Sequence, residues 1–315
     1  MKIRLGYVVI ATTLENVTTS RLLTYTHFKK LGRVRGIEKL KQIIMDNLND
    51  LKKILKYNIK NEIYFYRMSS NIFPLVDLPE IDFNPLIYFK QSLEEIGEII
   101  NNNNMRVDMH VDHFFVLNST NDNVVLSTIN ILKFYKNIFK TLKINGKLIM
   151  HVGSKTLGKR EGMKRFITNF QKLDTETQKL IILENDDKVY NIKNTLYLSK
   201  KLNIPMVLDY HHFICNKTNE KIENYINEIF ETWKNDIPKI HFSSPLNKKN
   251  FRSHHDYIDI KSFLNFLDKI NFIEKDFDIM IEAKMKDEAL FRLVRQIKYE
   301  TDYKFLNNST FLTKK

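Results

Sequence analysis

Short runs of apolar, β-branched and aromatic residues alternate with longer mixed stretches from one end of the chain to the other. The short runs are typical of buried strands, and the segments between them show the three- and four-residue spacing of amphipathic helices. This alternation favours βα units and a parallel sheet. Eight strands are predicted, at residues 2–10, 62–68, 106–110, 147–151, 179–185, 205–209, 238–242 and 277–283.

Helical spacing is clearest in the segment 37–55. Its apolar positions are Ile37, Leu40, Ile44, Leu48, Leu51 and Leu55. Because they fall three and four residues apart, they share one helix face, which we expect to be buried. A last helix is predicted at about residues 285–299. The tail beyond it, through Lys314 and Lys315, has no periodicity and is expected to be loose.

Eight strands that each precede a helix match the (β/α)₈ count of a TIM barrel. At 315 residues the chain exceeds the usual size of one domain, but barrels of this kind often reach this length. No stretch rich in proline, glycine or serine divides the sequence. We therefore expect an α/β protein with a single TIM barrel over residues 1–300 and a C-terminal tail over residues 301–315.

The composition limits the environment and the partners. No apolar run approaches the roughly 18 residues of a membrane span, and no targeting segment is recognised at the amino terminus. The single cysteine, Cys215, excludes an intramolecular disulfide and fits a reducing compartment such as the cytoplasm. The net charge of +13 suits a protein that neutralises phosphates, although a coding bias towards lysine, asparagine and isoleucine has the same effect.

Six of the eight predicted strands end on, or next to, a side chain that can bind a metal ion. These residues are His110, His151, Glu184, Asp209, His241 and Glu282. The carboxyl ends of barrel strands meet at one rim, so residues far apart in sequence share a pocket there. Any one histidine alone is explained more simply as a hydrogen-bonded core or surface residue. Together, the six residues predict a metal site.

Two further histidines closely follow a strand. His212 comes three residues after Asp209, and His254 lies in the loop after the seventh strand. Because neighbouring side chains at a strand-to-loop turn diverge, we expect these two to reach the metal, rather than His211 and His255. Eight ligands exceed the needs of one ion and predict two or three ions, an arrangement typical of phosphate-ester hydrolysis.

The sequence resembles the ultraviolet damage endonucleases of bacteria and fungi over nearly its whole length. The resemblance rests on ordered motifs, namely LGY from Leu5, YRMSSNIFPL from Tyr66, MHVDHFFVLNS from Met109, HVG from His151, LEND from Leu183, LDYHH from Leu208, KIHFSS from Lys239, RSHHDYID from Arg252 and IEAKMKDEAL from Ile281. It implies a barrel of the xylose-isomerase-like kind, with the metal architecture of endonuclease IV.

The resemblance also implies that the eight ligands hold two or three divalent ions, most commonly Mn²⁺, with Mg²⁺, Co²⁺ or Zn²⁺ as alternatives. Lys239, two residues before His241, is implied to be carboxylated and to complete the site. Three divalent ions bring about +6 and three carboxylates only about −3, so a carbamate would offset excess charge. The alternative for Lys239 is an ordinary amine that contacts a phosphate. Glu184, Lys239 and Glu282 are the implied catalytic residues.

The implied reaction is hydrolysis of the phosphodiester immediately 5′ of a cyclobutane pyrimidine dimer or a 6-4 photoproduct in duplex DNA. Metal-activated hydroxide would attack and leave a 3′-hydroxyl and a 5′-phosphate. Tyr7 matches a family tyrosine that contacts the lesion region. His113 and Phe114 replace a pair, often Gln and Tyr, that enters the duplex, and Asn71 stands where some members carry histidine. Arg252 is a further expected DNA contact.

Two basic clusters follow strands and are expected at the catalytic rim as phosphate contacts, with a merely solvated surface as the alternative. They comprise Lys155, Lys159, Arg160, Lys164 and Arg165 after the fourth strand, and Lys248, Lys249 and Arg252 after the seventh. Two other functions stay open. A sugar isomerase or epimerase of the same barrel superfamily would need fewer ligands, and a damage-binding protein without catalysis would not need the full cluster. We expect a monomer whose partner is damaged duplex DNA, and we expect no membrane partner.

Overall fold

The computed structural model describes residues 1–313, and its central feature is a closed barrel of parallel strands. The strands are β1 (Lys2–Val8), β2 (Phe65–Met68), β3 (Arg106–His110), β4 (Leu148–His151), β5 (Ile181–Glu184), β6 (Met206–Asp209), β7 (Lys239–Phe242) and β8 (Phe277–Ile281). Each strand pairs in parallel with the next, and β1 pairs with both β8 and β2, which closes the barrel. The predicted TIM barrel is confirmed.

Helices connect the strands and form the outer layer. They are α1 (Tyr25–Leu31), α2 (Arg33–Lys60), α3 (Pro85–Tyr88), α4 (Lys90–Asn102), α5 (Asp122–Leu142), α6 (Lys159–Phe170), α7 (Thr175–Leu180), α8 (Ile192–Leu202), α9 (Tyr210–Asn216), α10 (Ile226–Glu231), α11 (Ile260–Lys269) and α12 (Lys286–Glu300). Short 3₁₀ turns lie at Ser70–Ile72, Pro79–Ile81, Ile222–Asn224 and Asn271–Ile273. Within residues 1–313, none of the helices has both the length and the apolar character that a membrane span requires.

The two helices predicted most clearly are present. Residues 37–55 lie within α2, and the predicted apolar face is buried at Leu40, Ile44, Leu48 and Leu51. The last predicted helix corresponds to α12. The spacing of apolar residues therefore located both helices, because in each case one face packs against the barrel.

The C-terminal tail is not loose, so that prediction was wrong for the part of it that the structure describes. Residues 301–313 contain two short strands, β9 (Lys304–Phe305) and β10 (Thr310–Leu312). Strand β10 pairs antiparallel with the first half of β1, where β2 does not reach. Phe311 is buried, and its ring packs against those of Tyr303 and Phe305. Lys314 and Lys315 lie outside the described residues.

Charged side chains occupy the lower interior of the barrel. Lys239 Nζ donates to Asp108 Oδ2 at 2.8 Å, and both side chains are fully buried. Arg106 lies 3.4 Å from Asp108 and 2.7 Å from Asp278, which also pairs with Arg4 at 2.6 Å. Side chains two residues apart on a strand point to the same side. Lys239 and Asp108 therefore lie one layer below the rim residues that follow them on β7 and β3.

Candidate metal centre

Glu184 lies at the centre of the rim, at the end of β5, and is almost fully buried. Its Oε1 atom is 2.7 Å from His241 Nδ1 and 3.7 Å from His212 Nδ1. Its Oε2 atom is 2.9 Å from His110 Nε2 and 3.6 Å from His151 Nε2. One carboxylate therefore faces imidazoles from four different segments of the chain, as the convergence of barrel strands requires.

Glu282 begins the loop after β8 and supplies a second carboxylate. Its Oε1 atom is 3.2 Å from His241 Nδ1, and its Oε2 atom is 3.9 Å from His254 Nδ1. Asp209 at the end of β6 completes the acidic set. Ligand atoms converge in two overlapping groups that share Glu184, one made of His110, His151 and Glu184 and the other of Glu184, Asp209, His241 and Glu282. Glu184 is common to both groups, so its carboxylate would serve both of them if metal ions were bound.

Several buried polar atoms of these side chains have no hydrogen-bond partner. They are Asp209 Oδ2 and the ring nitrogens His151 Nδ1 and His241 Nε2. Buried polar atoms are nearly always satisfied, since leaving one without a partner costs about 1–3 kcal/mol. A divalent cation is a partner that carboxylate oxygens and neutral imidazoles both accept. The residues present therefore fit a metal centre.

Backbone carbonyls orient two of the imidazoles. His110 Nδ1 donates to the carbonyl of Val111 at 2.7 Å, and His212 Nδ1 donates to the carbonyl of Asn185 at 2.9 Å. Each bond fixes the ring and leaves Nε2 for another partner. Metal-binding histidines are commonly held in this way through their other ring nitrogen.

The charges of the site are arranged for a cation. Burial alone would raise the pKa of Glu184, but the imidazoles of His241 and His151 bring it well below its ordinary value. Burial, reinforced by Glu184 and Glu282, raises the pKa of Asp209 well above its ordinary value. Burial also lowers the pKa of His151 to about 3, which keeps its ring neutral. Repulsion among the buried carboxylates is relieved when a cation joins them.

The two pairs of adjacent histidines divide between the site and its surroundings. His212 faces Glu184, whereas His211 Nε2 lies 3.7 Å from Cys215 Sγ, and its ring packs near Phe251. His254 lies beside Glu282, whereas His255 Nδ1 accepts a hydrogen bond from the amide of Tyr257. In each pair, the residue named from the sequence is the one that faces the carboxylates.

Lys239 lies inside the barrel, below the rim. The amine is paired with Asp108 inside the barrel and is fully buried, so it does not reach a phosphate at the surface. Burial lowers the pKa of Lys239 to about 8, although Asp108 opposes the effect. Its place one layer below His241 on β7 leaves it next to the metal centre rather than within either ligand group.

Arg67 and Lys286 also belong to the site but were not singled out from the sequence. Arg67 lies near the end of β2, and its Nη1 atom donates a hydrogen bond to Glu282 Oε1 at 2.5 Å. Lys286 is largely buried, and burial together with Arg67 lowers the pKa of its amine. Arg67 is the penultimate residue of β2, close to the strand end at which strands β3 to β8 carry histidine or a carboxylate. That position in the strand pattern was the signal that could have identified it.

Tyr7 does not lie at the rim, contrary to expectation. It is fully buried, and its hydroxyl donates to Asn58 Oδ1 of α2 at 2.6 Å. Its position on β1 points it outwards, between the barrel and the helical layer, where it packs edge-on against Tyr66. A side chain enclosed in this way helps to fix α2 on the barrel and does not contact a ligand at the rim.

The loop after β3 presents two exposed rings beside the metal centre. The His113 ring stacks on that of His151 with centroids 5.1 Å apart, and the Phe114 side chain is 84% exposed. A cleft of about 530 Å³ lies between this loop and the loops after β4 and β5, and His151 and His212 line its floor. Asn71 is exposed and lies in the 3₁₀ turn Ser70–Ile72, which follows β2.

The basic rim residues have different environments. Lys155, Lys159, Arg160, Lys248 and Lys249 are exposed. Arg165 is not available as expected, because its guanidinium donates to the carbonyls of Asn118 and Thr156 at 2.8 and 2.6 Å. Lys164 pairs with Glu161 at 2.8 Å. Arg252 is exposed, and its Nε atom lies 3.3 Å from Asp187 Oδ2 across the mouth of the cleft.

Comparison with known proteins decides the family. Residues 3–310 match the model of the UV-endonuclease UvdE family. The chain belongs to this family. A UV DNA damage endonuclease of Bacillus mycoides (strain KBAB4) is 38% identical over 317 residues, which cover 98% of this chain and 99% of the relative. One of Bacillus cereus (strain B4264) is 39% identical, covering 94% of this chain and 95% of the relative.

Solved structures agree with this placement. The crystal structure of SacUVDE superposes with a TM-score of 0.85 at 32% identity, and the match covers 95% of this chain and 99% of that one. Endonuclease IV of Thermus thermophilus gives a TM-score of 0.54 at 11% identity, over 80% of this chain and 95% of that one. The second likeness concerns the fold alone. The UvdE barrel and that of endonuclease IV therefore share their architecture.

Proposed function

We propose that this UvdE family member is a metal-dependent endonuclease that repairs UV-damaged duplex DNA. We further propose that it nicks the phosphodiester immediately 5′ of a cyclobutane pyrimidine dimer or a 6-4 photoproduct and leaves a 3′-hydroxyl and a 5′-phosphate. The observation that carries the proposal is the convergence of two ligand groups on Glu184, directly beside an open cleft. A multinuclear site open to a large substrate suits phosphodiester hydrolysis.

Two or three divalent ions, with Mn²⁺ as the first candidate and Mg²⁺, Co²⁺ or Zn²⁺ as alternatives, would be held by the eight rim ligands. These ligands are His110, His151, Glu184, Asp209, His212, His241, His254 and Glu282. Bound ions of this kind activate water and neutralise phosphate charge. The chain itself contributes the fixed positions of the ligands, since carbonyls orient His110 and His212 and a guanidinium orients Glu282.

Carboxylation of Lys239 is part of the proposal. The neutral amine would attack carbon dioxide, forming a carbon–nitrogen bond and releasing a proton. Burial lowers the pKa of Lys239 to about 8, so the neutral form is more accessible than for a lysine at the surface. The carboxylated side chain would have to give up its contact with Asp108 and turn towards the metal ligands at the rim. Intact mass of the native, metal-loaded protein should show one added carbon dioxide, and Lys239→Arg should abolish it.

Recognition of the lesion is assigned to the loop after β3. Chemistry beside a photoproduct requires the damaged bases to leave the stack, and poorly stacked bases cost less to extrude. Phe114, which is exposed at the rim, would fill the gap in the duplex, and the adjacent cleft would receive the displaced bases. His113 and Asn71 are proposed contacts at the same face. Arg252 would exchange Asp187 for a backbone phosphate.

The test is strand nicking of a duplex with one defined pyrimidine dimer, in the presence of Mn²⁺ or a chelator. We expect a nick just 5′ of the lesion that chelation and Glu184→Gln both abolish. The same duplex without the dimer is the control for damage specificity. Tight lesion binding by the wild type without any nick would identify a damage-binding protein instead, and neither binding nor nicking would redirect the search to sugar substrates.

A further inference from the structure

A second apolar side chain stands exposed at the rim, in the loop after β4. Leu157 is 74% exposed, and this loop also borders the cleft through Gly153 and Ser154. An exposed leucine gains nothing from the hydrophobic effect in the free protein, because its side chain remains in water. The proposed function accounts for Phe114 on the neighbouring loop but leaves Leu157 without a role.

The backbone of Leu157 is also in an unfavourable conformation. Its φ angle is +62°, in the left-handed region that a branched side chain avoids and that glycine enters without penalty. The next residue, Gly158, also has a positive φ of 90°. Leu157 is strained and adds little to the core. Such a residue points to a role in contact with another molecule.

The loop is held rigidly, so the side chain is presented in a fixed direction. Asn118 of the preceding loop accepts a hydrogen bond from the Ser154 amide at 2.9 Å and donates to the Ser154 carbonyl at 2.7 Å. Arg165 clamps the carbonyls of Asn118 and Thr156. These contacts join the loop that carries Leu157 to the loop that carries Phe114. Both loops are therefore already ordered, and neither loses further conformational freedom when a ligand binds.

Positive charge surrounds Leu157. Lys155, Lys159 and Arg160 are exposed within three residues of it along the chain. Helix α6 begins at Lys159, and the partial positive charge of a helix amino terminus also attracts phosphates. An apolar side chain flanked by cations matches a nucleic acid, in which stacked bases lie between phosphate-bearing strands.

We propose that Leu157 is a second wedge that inserts between bases of the damaged duplex, alongside Phe114. The flanking cations would hold the backbone phosphates while the leucine separates a base step. This inference rests on the proposed function, since it assigns a further contact with the same substrate. It predicts that substitutions of Leu157 reduce distortion of the duplex and do not alter the metal centre.

The test uses the full chain with Mn²⁺ and a duplex that carries one pyrimidine dimer and 2-aminopurine opposite the lesion. Rapid mixing under single-turnover conditions reports base unstacking by fluorescence and nicking by gel. Leu157→Ala should lower the nicking rate at subsaturating enzyme roughly tenfold, because the truncated side chain no longer fills the opened base step. It should also remove most of the fluorescence rise.

Three further variants sharpen the test. Leu157→Met keeps an apolar side chain and should retain both signals within about twofold. Leu157→Lys adds a phosphate contact but removes the wedge, so it should lose the fluorescence rise. Leu306→Ala is the matched control, since this leucine is 49% exposed in the C-terminal segment at the other end of the barrel. It should behave as the wild type does.

The outcomes separate this inference from the proposed function. Wild-type signals in Leu157→Ala, or faster nicking in Leu157→Lys, would overturn the wedge and leave the endonuclease standing. If the wild type unstacks bases without nicking, the endonuclease fails, and the fluorescence of Leu157→Ala still decides the wedge. If the wild type gives neither signal, both proposals are overturned.

A stability measurement guards against a trivial loss of structure. Leu157→Gly relieves the left-handed backbone and removes a side chain that is mostly exposed, so its thermal unfolding midpoint should equal or exceed that of the wild type. Its unstacking signal should nevertheless be lost. A variant that folds at least as well as the wild type and distorts the duplex less would place the defect in DNA recognition.

Discussion

Arg67 at the end of β2 donates from Nη1 to Oε1 of Glu282 at 2.5 Å, across the barrel mouth. The two strands are not neighbours, because β1 lies between them. The guanidinium therefore fixes the one carboxylate of the site that extends past its strand into a loop. Burial would raise the pKa of Glu282, but Arg67 and His241 hold it well below its ordinary value. Arg67 thus keeps Glu282 ionised and oriented.

Replacing Arg67 should weaken the metal centre although Arg67 is not itself a ligand. We expect Arg67→Met to lower Mn²⁺ affinity and the nicking rate by about 10- to 100-fold, the usual effect of removing a group that orients a metal ligand. Arg67→Lys keeps the positive charge but lacks the planar guanidinium. Its Mn²⁺ affinity and nicking rate should lie between those of the wild type and Arg67→Met. Titration of nicking against Mn²⁺ concentration makes the measurement. A variant that needs no more Mn²⁺ than the wild type would exclude the positioning role.

The two ligand groups should lose metal separately. Glu184 belongs to both groups, so Glu184→Gln should remove most of the bound ions. His254 lies 3.9 Å from Glu282 at the edge of the site, so His254→Asn should remove about one ion and leave the rest. Metal analysis of dialysed, Mn²⁺-loaded protein gives the stoichiometry. Equal losses in both variants would argue for a single, indivisible cluster.

Phe114 should affect damaged DNA and spare the metal centre. Because one stacked base is worth about 1–3 kcal/mol, Phe114→Ala should slow nicking of the dimer duplex roughly tenfold or more at subsaturating enzyme. Phe114→Tyr keeps the ring and should retain activity. Nicking rates for the three proteins, with Mn²⁺ content as the control, make the comparison. Equal rates for the wild type and Phe114→Ala would remove Phe114 from lesion recognition.

The sequence predicted the barrel, and it placed several polar side chains at strand ends, because both features follow from the periodic pattern. A buried strand ends where its apolar run ends, and in a barrel that end lies at the catalytic rim. His110 and Glu184 were identified in this way, and the structure brings them to 2.9 Å. The choice of His212 over His211 also followed from local geometry, since adjacent side chains diverge at a turn.

Other features depended on tertiary contacts that no local pattern records. Strand β10 has two apolar residues, Phe311 and Leu312, which are too few to produce a periodic signal. It forms a strand because it pairs with the open half of β1 and with β9. Tyr7 follows a motif, but the side of β1 on which it lies turns it towards Asn58. Lys239 is held by Asp108, which is distant in sequence and reaches it only across the closed barrel.

The C-terminal strand should contribute to the stability of the barrel. Phe311 is fully buried and packs against Tyr303 and Phe305. Truncation of a buried phenylalanine typically costs about 3–5 kcal/mol, so Phe311→Ala should lower the free energy of unfolding by about that amount. Denaturant unfolding with Leu306→Ala as an exposed control measures the difference. A loss no larger than that of the control would show that the tail is dispensable.

Asp50 should make the stability of the rim depend on pH. It is buried on α2, accepts a hydrogen bond from the Thr18 amide, and pairs with Arg21 and Lys53 at 2.7 and 2.8 Å, which ties the loop after β1 to the helix. Burial opposes ionisation, but the bonds from Lys53 and Arg21 prevail and lower the pKa of Asp50. A carboxyl group whose pKa is lower in the folded state stabilises the fold above its unfolded pKa, near 3.9 for aspartate. That contribution is lost as the pH falls from there through the folded pKa.

Asp50→Asn should therefore destabilise the protein at pH 7, and the difference from the wild type should shrink as the pH falls below about 4. Denaturant midpoints of both proteins at pH 7, 5 and 3 give the comparison. Asp46→Asn is a suitable control, because Asp46 lies on the same helix, only partly buried, and contacts Gln42. A difference between Asp50→Asn and the wild type that stays constant with pH would mean that the carboxylate charge is not what holds the loop. The hydrogen bond from Thr18, which an asparagine oxygen can still accept, would then be sufficient.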